Sequence, residues 1–474
     1  YAELTALGWV LRGPLSSGSE AIGAEVRYVR TGELEANLHR LWEEDFNEKY
    51  SEKPQMSQDD RAALKIMQDS VQTISGRYQV ALPFSDQSPL PHSMQYASHR
   101  LEATKKKLMR DPELCKMYAE QVNEYLAQHH AEPVGGEGPP GRTWYLPHHP
   151  VVNVHKPGKV RVVFDGAAKC GGTSLNEHLH QGPDLINSLA GVLARFRLHR
   201  VALMADIKAM FHQVLVPPEQ RDVLRFLWWP GGDLSKSPET YRMTRHIFGL
   251  RSSPGCVAFA MRRVAEDHSG GFSPEVVSSV QQDFYVDDLL RSVSSVDEAL
   301  ELVDQLPRLL ECGGFQLVKW LSNHELVDDA IPEDRRAAKS LRDLNSDTCE
   351  RTLGMLWNPR CDTFVFTVQL REQSLSRREM LSAVSTIFDP LGLLSPVLLD
   401  SRRMLQDLTR MKLGWDDPIP TSIQEEWSGW RRQLDGLSDW SIPRLYSTHT
   451  GGSCELHVFS DASEVGYGAC AYMR

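Results

Sequence analysis

The stretch Phe284-Tyr285-Val286-Asp287-Asp288-Leu289-Leu290 sets two adjacent carboxylates between apolar residues. A buried pair of like charges is costly unless a cation neutralises it. Hard oxygen ligands of this kind suit Mg²⁺, and two such ions serve phosphoryl and nucleotidyl transfer. The plainer reading is a solvated turn, because Asp is common in turns. Upstream, Val201-Ala-Leu-Met-Ala205 reads as a strand ending at Asp206. A two-metal site needs carboxylates on neighbouring strands that both reach ions about 4 Å apart. A strand end at Asp206 beside a hairpin turn at Asp287 and Asp288 meets that need, and the Ile207 carbonyl adds another hard oxygen. On its own, Asp206 is an ordinary strand-end aspartate.

Working outward, the texture is mixed. Residues 1–14 read as a strand ended by Gly13-Pro14, and 15–37 as a linker. Helical periodicity dominates from 38 to 130, with Leu114, Met117, Tyr118, Val122, Tyr125 and Leu126 on one face. After the breaker Pro133–Gly141 come β-rich runs at 144–152 and 160–164. Residues 296–311 predict a helix with a Ser295/Glu298 capping box, a kink at Pro307 and a stop at Gly313-Gly314. Thr363–Val368 predicts a strand, and Ser376/Glu379 cap a helix with Met380, Leu381, Val384, Ile387 and Phe388 inward, ended by Pro390. Leu456–Ser460 opens a last β element.

The 474 residues suffice for about two to four domains, and 41% hydrophobic with 24% charged residues is a globular composition. No stretch is apolar enough to span a membrane, and no signal peptide is visible. Eight scattered cysteines without a CxxC pair predict free thiols, not a zinc site or disulfide framework. The net charge of −11 speaks against non-specific nucleic-acid binding. Its distribution is uneven: 16 Lys and Arg face 8 Asp and Glu in 151–263, against 7 and 19 in 264–350. A basic block suits a phosphate backbone; two ordinary surfaces of opposite sign fit equally.

Further candidates come with plainer alternatives. Phe211, five residues after Asp206, can block a 2′-hydroxyl or simply be core. Lys156 and Arg161 flank Gly158 in a basic hairpin suited to a triphosphate, or merely exposed. Phe248-Gly249 offers close backbone approach to a nucleotide, or a plain turn. Lys319 can protonate leaving pyrophosphate if an apolar neighbourhood lowers its pKa, or can snorkel.

The order of these blocks resembles the reverse transcriptase region of BEL/Pao-type long-terminal-repeat retrotransposon polyproteins. The resemblance is carried by Tyr145–His149, Arg161–Asp165, Ser174–Asn176 with Gly182-Pro183, Ala205–Ile207 with Met210–Gln213, Phe226–Trp228, Phe248-Gly249 with Ser253-Pro254, Tyr285–Asp288 and Ile387–Pro396. It implies an α+β right-hand polymerase of fingers, palm and thumb, with an N-terminal helical extension, a C-terminal connection and a truncated ribonuclease H start. The implied layout is a protease tail at 1–14, a linker and helical extension at 15–140, fingers and palm at 141–345, thumb and connection at 346–450, and the beginning of ribonuclease H at 451–474.

By position, Asp206, Asp287 and Asp288 look like the catalytic carboxylates, with Ile207 as a further metal contact. Lys319 looks like the general acid; Lys156, Arg161, Phe211, Phe248 and Gly249 look like deoxynucleotide contacts. Phe248 stands where retroviral enzymes carry Gln. Asp461 looks like the first ribonuclease H carboxylate. The expected activity is RNA-directed DNA polymerisation with two Mg²⁺ ions, or Mn²⁺ in their place. Expected partners are an RNA or DNA template with primer, deoxynucleoside triphosphates and other parts of the parent polyprotein, with no membrane. The expected location is the cytoplasm, within an intracellular particle, with the nucleus as the alternative. Protease activity is not expected, because no Asp-Ser/Thr-Gly triplet occurs in the sequence, nor is ribonuclease H activity, because the resemblance places only the first of that domain's acidic ligands within it. The rival reading is a catalytically silent element-derived fragment that binds nucleic acid or serves as a scaffold.

Overall fold

The computed structural model describes residues 2–5, 8–11, 56–152, 158, 160–338, 341, 349–366, 375–446 and 455–473. The chain divides into two units, Tyr1–Gln55 and Met56–Arg474. In the first, Ala2–Thr5 (β1) and Gly8–Leu11 (β2) pair antiparallel, so the single strand expected over 1–14 is two strands. The linker expected at 15–37 lies outside the described residues.

The second unit opens with Gln58–Ser70 (α1), begun by a capping box between Ser57 and Asp60. The helical run expected to 130 is then interrupted. Gln72–Ile74 (β3) and Arg77–Gln79 (β4) form a hairpin with Ser75 and Gly76 at positive φ. Helices resume at Met94–Arg110 (α2) and Pro112–Ala127 (α3). α3 buries Leu114, Tyr118, Val122 and Tyr125, the predicted i, i+4 face. Ala131–Pro133 (β5) follows, then the antiparallel pair His148–Val152 (β6) and Val160–Phe164 (β7).

Leu189–Phe196 (α4) leads into Val201–Ile207 (β8). Arg225–Trp228 (β9) and Glu239–Met243 (β10) complete a sheet in the order β5-β10-β9. Ser253–Asp267 (α5) and Pro274–Gln282 (α6) precede Phe284–Tyr285 (β11) and Asp288–Val293 (β12). Val296–Glu311 (α7) carries Pro307 within it, and Leu317–Ser322 (β13) follows. The central antiparallel sheet has the order β11-β12-β8-β13. Alternation along β8 feeds two cores. Val201, Leu203, Ala205 and Ile207 pack with residues of α5–α7, whereas Ala202 packs with Leu193, Phe196 and Trp357. Asp206 therefore lies on the second face, beyond the end of its apolar packing.

Glu325–Ala330 (α8) closes this region. Glu350–Thr352 (β14), Met355–Asn358 (β15) and Thr363–Val365 (β16) form a second sheet, joined on its β16 edge by the distant Ser441–Pro443 (β17). Between them lie Arg377–Thr386 (α9), Ser395–Arg410 (α10) and Thr421–Gln433 (α11), packed through Met380, Leu398, Met404, Trp427 and Trp430. The Ser376/Glu379 capping box is present, but Leu381 and Phe388, expected inward, are exposed. The chain continues as the hairpin of Leu456–Ala462 (β18) and Tyr467–Met473 (β19). Among the described residues no helix is long and apolar enough to cross a membrane. Cys115, Cys170, Cys256, Cys312, Cys361 and Cys470 carry free thiols, as their scatter predicts.

One buried guanidinium ties the β14–β17 sheet to the α4–β8 connection. Arg444 is fully buried; its Nε and Nη2 donate to the two Asp362 oxygens at 2.7 and 2.8 Å, and its remaining donors reach the Phe196 and Arg200 carbonyls. Arg197 returns the contact, donating to the Arg444 carbonyl at 2.8 Å and stacking on Tyr446. Removing one partner of a buried pair strands the other. Arg444→Ala is therefore expected to cost about 3 kcal/mol of stability, read as a lower urea midpoint at unchanged slope. A parental midpoint would show that the latch contributes nothing.

Candidate active site

The two carboxylate sites meet in register. Asp288, the first residue of β12, pairs directly with Asp206 on β8, so both side chains leave the same face of the sheet. Asp287 occupies the two-residue turn between β11 and β12, and its carbonyl accepts from Ile207 N at 2.8 Å. The turn begins with Val286 at φ 57°. Tight hairpins ordinarily place Gly, Asn or Asp at such a position; a β-branched residue there is strained. Val286 is held by packing, since it lines a narrow apolar cleft with Met210, Phe211, Val257, Met261 and Phe284.

Charge is concentrated here. Burial, and then the Asp206 charge, hold the Asp287 carboxyl above the usual carboxylate range, while Lys319 and Arg161 pull it back. Lys319 Nζ donates to Asp206 Oδ2. The apolar neighbourhood expected for Lys319 is absent: its side chain is 54% exposed and faces a carboxylate. Below the hairpin, the fully buried Asp283 accepts from Arg195 Nε at 3.2 Å and Arg291 Nη1 at 2.9 Å. Burial raises its pKa and the two guanidinium groups oppose the rise. Its carbonyl accepts from Leu290 N at 3.0 Å, which ties the start of the hairpin to β12.

A second group lies beside the first. Phe211 sits on a short helical turn, Met210–Gln213, entered through Ala209 at φ 47°. It is 5% exposed, and its ring centroid lies 4.1 Å from that of Phe248, which is 49% exposed. Gly249 has φ 103° and packs on the Phe164 carbonyl at the end of β7, the strand that carries Arg161. Asn176 fastens this junction, donating to the Gly249 carbonyl at 3.1 Å and accepting from Arg251 N at 3.0 Å.

Asp206, Ile207, Asp287, Asp288 and Lys319 thus share one end of one sheet, and Phe211, Phe248 and Gly249 share a neighbouring wall. Lys156 lies outside the described residues, and Asp461 lies exposed on β18. Among the described residues, no three His, Cys, Asp or Glu side chains converge closely enough to hold an ion together. Sequence reasoning missed Asn176, Asp283, Arg195 and Arg291 as supports; Asn176 and Arg195 act through partners more than 70 residues away, which no local pattern marks, and Arg291 reaches Asp283 across the hairpin.

Residues 376–474 match the profile of the Pao retrotransposon-like RNaseH-like domain. The match begins well before residue 451, where ribonuclease H was expected to start, and takes in α9–α11. No curated protein matches the sequence. A foamy viral protease–reverse transcriptase, solved in complex with double-stranded DNA, has a similar fold with a TM-score of 0.50 at 12% identity. The match covers 93% of this chain and 65% of that one, so this chain spans just under two thirds of its length. The chain is therefore similar in fold to the foamy viral protease–reverse transcriptase, and its residues 376–474 are similar to the Pao retrotransposon-like RNaseH-like domain.

Proposed function

We propose that the chain is the reverse transcriptase core of a BEL/Pao-type retroelement, adding deoxynucleotides to a primer 3′-hydroxyl. The carrying observation is the direct pairing of Asp206 with Asp288, with Asp287 in the adjoining turn. In this reading the β11-β12-β8-β13 sheet is the palm and the β6–β7 hairpin belongs to the fingers. The double-stranded DNA in the foamy viral structure supports a template–primer duplex as the partner.

The donor set suits Mg²⁺, which takes one or two carboxylates and completes its shell with substrate phosphates and water. Asp206, Asp287 and the Ile207 carbonyl would hold the ions, and Asp288 would add negative charge. Two bound Mg²⁺ ions would supply activation of the 3′-hydroxyl and neutralisation of the triphosphate. Arg161 would engage the phosphates bidentately. Lys319, within reach of Asp206, would hold a proton for the leaving pyrophosphate. Phe211 and Phe248 would wall the sugar.

Primer extension on RNA and DNA templates with Mg²⁺ tests the reading; absence of extension by a folded chain that binds duplex would favour a silent binding fragment. The aromatic wall carries its own test. Phe211→Val should relax discrimination against ribonucleotides by about tenfold, the scale set by removing bulk from an apolar pocket. Unchanged incorporation ratios would assign Phe211 to the core alone.

A further inference from the structure

Lys319 owes its position to an irregularity in β13. Val318 pairs with Asp206 and Leu321 with Met204, so β13 spends one residue more than β8 over the same interval. In an unbroken strand Lys319 would share the face of Leu317, which is buried in the apolar core, and Trp320 would turn to the Asp206 face. The bulge reverses both. Trp320 returns to the core at 1% exposure, and Lys319, at φ 57°, sets Nζ on Asp206 Oδ2. Left-handed backbone is uncommon for a non-glycine residue, and bulges beside active sites re-aim side chains.

We infer that Lys319 is the resident counter-ion of the metal carboxylates, and that a divalent cation loads Asp206 by displacing it. This rests on the reading of Asp206 and Asp287 as metal ligands. A cation on Asp206 would sit close to the Lys319 ammonium on Oδ2, and two cations at contact distance repel each other. The lysine can leave readily: it is more than half exposed, on a flexible four-carbon stem. Exchange also gives order to the site. Lys319 neutralises Asp206 before loading and becomes available to the triphosphate only once a cation has replaced it. Lys319 is in this respect a positioning residue that acts through Asp206.

Direct titration of Mn²⁺ into the full chain without nucleic acid, followed by the electron paramagnetic resonance of free Mn²⁺, tests this. Lys319→Met should bind Mn²⁺ about two- to fivefold more tightly than the parent, the range expected for loss of a partly exposed pair. Lys319→Arg, which keeps the charge, should restore the parental affinity. Added KCl should narrow the difference between parent and Lys319→Met by screening the pair. Asp206→Asn should lose the site. Equal or weaker binding by a folded Lys319→Met, with Asp206→Asn still inactive in binding, overturns the exchange and leaves the metal assignment standing. Absence of saturable Mn²⁺ binding in the parent overturns both. Lys319→Gln serves the same comparison should the Met variant fail to fold.

Discussion

Asp287→Asn is expected to lower primer extension by about 10³-fold or more at saturating Mg²⁺ while leaving the fold intact, the scale seen when one preorganised charge-stabilising group is removed. The substitution keeps the shape of the turn. The Asp287 carbonyl still accepts from Ile207 N, Val286 keeps its packing, and the pairing of Tyr285 with Asp288 does not involve the side chain. Only the charge goes. Stability should move the opposite way to activity. The folded carboxyl lies above its ordinary range, raised by burial and by Asp206, so the folded chain binds this proton more tightly than the unfolded chain. The ionised side chain therefore costs stability. The cost sets in as pH rises from the ordinary carboxylate value through the raised folded value, and it is complete above that. Asparagine removes the cost, so at neutral pH the variant should melt at an equal or higher temperature. The gain should vanish as pH falls through the usual carboxylate range. Mg²⁺ should raise the parent's melting temperature and not the variant's, because only a bound cation stabilises the folded state. Parental extension by the variant would remove Asp287 from the metal site; a lower neutral-pH melting temperature would overturn the electrostatic account.

Much of this site could be read from the sequence because its parts are short and local. β8 is an apolar run with an acid next to its end, and the paired part of the β11–β12 hairpin is the short stretch Phe284–Leu289, with its carboxylates at and beside the turn. Strand ends and turns are written within a few residues, and two antiparallel strands bring such ends together. Lys319 shows where that logic stops. Strict alternation would have buried it, and only the register break between Val318 and Leu321 brings it to Asp206. Asp283 lies a few residues before the Val286-Asp287 turn, yet its partners Arg195 and Arg291 come from α4's end and from β12. The Arg444–Asp362 latch spans 82 residues. The early hairpins were missed for a different reason. β1–β2 and β3–β4 have strands of three or four residues, too short to show a period.

Gly249→Ala should produce the largest loss of stability of any single change considered, about 4 kcal/mol or more from backbone strain and steric overlap together. Two independent costs act at this residue. Its φ of 103° lies where residues with a Cβ rarely go. An added Cβ would also stand 1.9 Å from the Phe164 carbonyl oxygen, a backbone atom with no rotamer to yield. Nor can the loop back away freely. Asn176 holds the Gly249 carbonyl on one side, and a Cβ on Gly166 would meet that same carbonyl at 2.6 Å, so the two backbones are already in contact. Relief would have to come from moving Phe248, and with it the ring packed against Phe211. The expected result is a large fall in the urea midpoint, with the remaining folded fraction less able to discriminate ribonucleotides. Phe248→Ala separates the two effects. It removes the ring from a half-exposed position and should leave the midpoint nearly unchanged while relaxing sugar discrimination. If Gly249→Ala kept the parental midpoint, the close approach of this loop to the end of β7 would be wrong, and with it the physical link between the strand of Arg161 and the aromatic wall.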